Sequence, residues 1–176
     1  DTSLMPPKPD NPKGFWEHES FVVINEEVLA RFGGAWDRPP ALPQDWERDA
    51  RLDDLRTRAR RLIASDFAAA PLWGWKDPRC CLTLPFWQDL VGPMRYVLAF
   101  RNPGEVIASL QLRNAMNVEK AERLWLAHVH ASLVDTSGQK RMFVFYDDIM
   151  NDYATELARK NARALGVGAT CGRFVG

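Results

Sequence analysis

Two arginines and a serine bracket one turn of this chain. Arg101 closes the apolar run Tyr96-Val97-Leu98-Ala99-Phe100, Asn102-Pro103-Gly104 turns the backbone, and Ser109 and Arg113 follow eight and twelve residues after Arg101. The apolar run from Arg95 to Phe100 reads as a buried parallel strand, and Pro103 suits the first turn of a helix. A strand that ends in Arg and feeds a helix brings a guanidinium to the carboxyl edge of a sheet, where open α/β sheets bind ligands. The helix N-terminus adds unpaired N–H groups and its positive dipole end. Ser109 and Arg113 lie four apart and share a helix face. The chemistry this suggests is a phosphate grip in which one phosphate meets all three side chains.

A second group could move a proton and neutralise charge. Lys76 follows the short aromatic segment Trp73-Gly74-Trp75 and is held by Asp77 and Pro78. An ammonium fixed in this way can meet negative charge as it builds on a leaving oxygen. Glu17 closes Gly14-Phe15-Trp16-Glu17 just before a helix start, where partial desolvation raises a carboxylate toward the range of a general base. His18 and Glu19 adjoin it and compete for the same role. Arg79, three residues beyond Lys76, is a candidate to touch either substrate.

With these residues in place, the chain resembles the sulfotransferases that use 3′-phosphoadenosine 5′-phosphosulfate. The likeness runs through Asp10 to Glu17 (DNPKGFWE), Trp75 to Arg79 (WKDPR), Arg101 to Ser109 (RNPGEVIAS) and Val144 to Asp152 (VFYDDIMND), in the family's order from about Met5 to Gly166. It is closest to the bacterial carbohydrate-type and tyrosylprotein branches. The resemblance implies that Arg101 and Ser109, with Arg113, hold the 3′-phosphate, and it groups Tyr146 with the nucleotide-binding residues. It also implies a Glu base in the early segment, with Lys76 at the bridging oxygen. In-line attack then puts base and leaving group on opposite sides of the sulfur. The implied fold is a P-loop-NTPase-like parallel sheet flanked by helices. The family's opening strand and Gly-rich phosphosulfate loop have no counterpart here, so residues 1–176 read as one such domain, incomplete at its N-terminus.

Composition supports a packed domain and narrows its partners. The chain has 176 residues, 46% of them hydrophobic, and 23 basic residues balance 23 acidic ones. With no net field, nucleic acid is not an expected partner, and anion binding must be local. Three cysteines form neither a disulfide framework nor a metal spacing. His128 and His130 are two residues apart on a helix and point in different directions. The expected donor is 3′-phosphoadenosine 5′-phosphosulfate, its product 3′,5′-bisphosphoadenosine, with no metal. The expected acceptor is a small molecule or carbohydrate bearing a hydroxyl. No apolar stretch or signal peptide points to a membrane, which suggests the cytoplasm. A small-molecule kinase and a non-catalytic nucleotide-binding module are the alternatives.

Periodicity supplies the frame. Phe21, Ile24, Val28 and Leu29 predict a helix that stops at Gly33-Gly34. Asp45 is expected to cap a long helix with Leu52, Leu55, Ala59 and Leu62 inward and Arg48, Arg51, Arg58 and Arg61 outward. Helices are predicted over 84–90, from Pro103, over 118–134 and from about Asp152 to Gly166. Strands are predicted over Trp73–Trp75, 95–100 and 142–146. Of the tryptophans near the proposed site, Trp16, Trp73, Trp75 and Trp87 offer flat faces to an acceptor or serve the core.

Overall fold

A computed structural model describes residues 4–7, 14–160 and 173–175 and divides the chain into two compact units, residues 1–92 with 172–176, and residues 93–171. The protein is mixed α/β, with parallel strand pairs and flanking helices.

In the first unit, α1 (Glu19–Arg31) starts at His18, whose side chain caps it, and its apolar face of Phe21, Ile24, Val28 and Leu29 is buried as its spacing predicts. Gly33 ends it at φ 76, and a Cβ on Gly34 would collide with Pro40, so both glycines are needed for this turn. The next helix begins later than the sequence suggests. Asp45 adopts a left-handed conformation (φ 55) and caps nothing. Two 3₁₀ turns, Trp46–Arg48 and Ala50–Leu52, come before α2 (Asp53–Asp66). Arg56 explains the delay, because its buried guanidinium bonds the carbonyls of Glu47 and Asp49 and the Asp53 carboxylate. It satisfies acceptors that a continuous helix would have turned inward on itself. The outward arginines find acids instead: Arg58 pairs with Glu27 at 2.6 Å and Arg51 with Asp49 at 2.7 Å.

Strand β1 (Trp73–Trp75) leads through Lys76-Asp77-Pro78-Arg79 into α3 (Cys80–Val91), longer than predicted and with Pro85 inside it. β1 pairs in parallel with β4 (Arg173–Val175). An aromatic stack holds β1 to α1 and α3. Phe21 lies 4.6 Å from Trp75 and 4.8 Å from Trp87, and Phe67 lies 4.6 Å from Trp73. Trp73, Trp75 and Trp87 therefore serve the core, while Trp16 is exposed.

The second unit carries β2 (Tyr96–Phe100), α4 (Pro103–Asn114), α5 (Val118–Asp135), β3 (Arg141–Phe145), α6 (Tyr146–Asn151) and α7 (Tyr153–Lys160). β2 and β3 pair in parallel from Tyr96↔Arg141 to Phe100↔Phe145, and α4 packs on α5. The expectation of a strand buried on both faces is corrected here. In β2 only Leu98 is buried and Val97 is half-exposed, whereas β3 buries Met142 and Val144. The predicted extension of the last helix to Gly166 lies outside the described residues. Among the described residues, no helix is long and apolar enough to cross a membrane.

Candidate functional site

The residues expected to do chemistry fall into two groups, one in each unit. In the first, Glu17 and Lys76 meet directly although 59 residues separate them: the Lys76 ammonium donates to the Glu17 carboxylate and to the Phe15 carbonyl. Trp16, between those two acceptors, has φ 59, a conformation rare for a bulky side chain. The kink turns the Phe15 carbonyl and the Glu17 side chain toward one ammonium. Pairing of the Met5 amide with the Glu17 carbonyl at 2.8 Å and a Leu4–His18 bridge hold the segment from its other side. Burial pushes the Glu17 carboxyl above the usual glutamate range; contact with Lys76 opposes the rise and the Asp77 carboxylate adds to it. Lys76 stays half in water, its side chain 54% exposed against 6% for Glu17.

His18 is built into the scaffold. Its Nδ1 accepts from the Ser20 amide at 3.3 Å, so the ring proton belongs on Nε2, which lies 3.5 Å from the Asp66 carboxylate. Phe21 and Phe67 close over the ring. Glu19 is exposed and lines a groove between α1 and α2 with Arg58 and Arg61.

Behind Lys76 stands a buried polar network that the sequence reading did not single out. Asn25 is fully buried on α1. Its Oδ1 accepts from Thr83 Oγ1 and Trp87 Nε1, each at 2.7 Å, while Nδ2 donates to Asp77 at 2.8 Å and approaches Cys80 Sγ at 3.5 Å. The other Asp77 oxygen accepts from the Arg79 amide and guanidinium, both at 2.9 Å, and Arg79 also pairs with Glu26 at 3.0 Å. Arg79 is thus engaged with acids of its own unit. The visible signal was an amide within the apolar stripe of α1, four residues from both Phe21 and Leu29. Beside the network, burial raises both thiols, Cys81 to about 11 and Cys80 further.

In the second unit, Arg101 Nε bonds Glu105 at 2.7 Å, and its guanidinium lies 4.8 Å from the centre of the Tyr146 ring. Two residues expected to share a ligand thus touch at the carboxyl ends of paired strands. Glu105, Ser109 and Arg113 follow at four-residue steps along one face of α4, each step rising about 6 Å. Ser109 is partly buried and Arg113 exposed. One expectation is corrected. The start of α4 offers few unpaired N–H groups, because Pro103 has none, the Asn102 side chain takes the Gly104 amide at 2.9 Å, and the Glu105 and Val106 amides bond the Asn102 carbonyl. An anion at this helix would have to rely on its side chains and dipole.

No protein-family model, curated protein or solved structure matches the chain significantly.

Proposed function

We propose that this protein transfers a sulfuryl group from 3′-phosphoadenosine 5′-phosphosulfate to the hydroxyl of a small-molecule or carbohydrate acceptor, on a P-loop-like parallel sheet of the sulfotransferase kind. The observation that carries this reading is the pairing of Glu17 with Lys76. Two residues suited to complementary roles in one reaction, far apart in sequence, lie in contact, with the carboxylate buried and the ammonium on a half-exposed flexible stem.

The donor supplies an activated sulfuryl group. Glu17 accepts the acceptor's hydroxyl proton as the new S–O bond forms. The bond to the bridging oxygen breaks with its electron pair on the 5′-phosphate, and Lys76 neutralises the charge building there. Base and electrophile are needed on opposite sides of the sulfur, so Lys76 must give up Glu17 to reach that oxygen, and its stem permits the swing. Leaving Glu17 also removes the contact that stabilises the carboxylate, which makes it a better proton acceptor. The same reading assigns Arg101, Ser109 and Arg113 to the 3′-phosphate, with Tyr146 beside Arg101. Glu105 occupies Arg101 Nε, so an anion would approach the guanidinium by its terminal nitrogens. His18 has both ring nitrogens engaged, which favours Glu17 over His18 as base.

The test is calorimetric titration of 3′,5′-bisphosphoadenosine and 5′-AMP into the protein and into Arg101→Ala, alongside transfer from ³⁵S-labelled donor to a panel of hydroxyl acceptors. Arg101→Ala should weaken the bisphosphate far more than the monophosphate. Equal losses would remove the 3′-phosphate assignment, and no labelled product from any acceptor would remove the activity.

A further inference from the structure

We infer that Asn25 is a positioning residue: through Asp77 it sets the place of Lys76 against Glu17. This rests on the functional reading above only for the consequence to turnover, because the geometry stands by itself. Glu17 and Asn25 belong to one continuous segment, the loop end and first two turns of α1, and Lys76 and Asp77 are adjacent. Asn25–Asp77 and Glu17–Lys76 are therefore two cross-links between the same two stretches of chain. The Lys76 link is mobile by nature, since a lysine stem has four rotatable carbons and here is half in water. The Asn25 link is not. Asp77 only accepts and Trp87 Nε1 only donates, so the amide has one orientation, Nδ2 toward Asp77 and Oδ1 toward Trp87 and Thr83. All four of its hydrogen-bonding positions are used. An apolar residue would fill this place on the stripe of α1 without needing any partner. What the amide adds is a fixed direction for Asp77, whose second oxygen Arg79 holds from the other side. The backbone that carries Lys76 is thus clamped one residue from its Cα.

The experiment pairs Asn25→Asp with the double variant Asn25→Asp/Asp77→Asn. In the single variant two carboxylates face each other where a 2.8 Å hydrogen bond stood, and the clamp opens. In the double variant an amide at 77 again donates to a carboxylate at 25, which can accept from Thr83 and Trp87, so the hydrogen bonds return with the charge moved across. The first readout needs no activity: the pH titration of the Glu17 carboxyl carbon, followed by ¹³C NMR with the Glu17→Gln spectrum as assignment. It should move upward in Asn25→Asp, as Lys76 leaves the carboxylate and the added charge at 25 acts in the same direction, and return toward native in the double variant, which carries the native net charge. The second is turnover with labelled donor, expected to fall about a hundredfold in the single variant at unchanged nucleotide affinity and to recover in the double. A folded Asn25→Asp whose Glu17 titrates as in the native protein overturns the inference. If Asn25→Asp does not fold, the double variant decides. Native-like titration of Glu17 upholds the clamp, while an altered titration or a failure to fold overturns it. Should the native protein transfer no sulfuryl group, the functional reading fails and the NMR comparison still judges Asn25.

Discussion

Replacing Lys76 by Met keeps most of the side-chain stem and removes the charge that faces Glu17. The Glu17 side chain is 6% exposed and the Lys76 side chain 54% exposed, so the pair is neither a surface bridge nor a buried one. Breaking a fully buried pair on one side costs about 3–5 kcal/mol, and an exposed pair contributes about 0–1 kcal/mol. With one partner buried and the other half screened by water, the loss at pH 7.5 should be about 1–3 kcal/mol. The pH dependence identifies the cause. Burial holds the folded-state pKa of Glu17 above its unfolded value, so its protonated form is favoured by folding. The contribution of Glu17 to stability is then greatest at low pH and falls as pH rises through that interval. Lys76 moderates the fall, and Lys76→Met steepens it. At pH 4 the carboxyl is largely neutral, and the variant should lose only about 0.5–1.5 kcal/mol, that of an ordinary hydrogen bond. Urea unfolding followed by tryptophan fluorescence reports on this unit, which holds Trp16, Trp36, Trp46, Trp73, Trp75 and Trp87 of the seven tryptophans. Equal losses at pH 7.5 and pH 4, or no loss at pH 7.5, would refute the reasoning.

Glu17→Gln should abolish turnover while leaving nucleotide binding intact, whereas His18→Ala should lower the melting temperature through loss of a helix cap and an aromatic contact, with a smaller effect on turnover. The opposite ranking, measured on one acceptor, would assign the base to His18. Glu105→Gln releases Arg101 from a half-exposed pair of about 0.2–1 kcal/mol, so calorimetry should show binding of 3′,5′-bisphosphoadenosine tightened by up to about fivefold; unchanged affinity would place Arg101 away from the phosphate. Trp87→Phe leaves Asn25 Oδ1 one donor short and a void in a fully buried site, and should cost about 2–4 kcal/mol in urea unfolding.

Much of the local architecture was legible in the residue order, because the forces that set it act between near neighbours. The apolar spacing of α1, the glycines that stop it, Asn102 and Pro103 at the head of α4, and the Trp73–Trp75 strand each follow from a few adjacent side chains. The candidate residues of both units were legible too, because their types and their places after strands or before helices suggest their chemistry. The sequence could not supply their partners. The start of α2 depended on Arg56 reaching back to the carbonyls of Glu47 and Asp49, which overrode the cap that Asp45 offered. The scaffold role of His18 depended on Phe67 and Asp66, some fifty residues away. The clamp of Asn25 on Asp77, Thr83 and Trp87, and the pairing of Glu17 with Lys76, join residues 52 to 62 positions apart. Periodicity marks which face of a helix is buried, but a buried amide or carboxylate is stable only where donors and acceptors converge from separate elements. That convergence is a property of the tertiary packing alone.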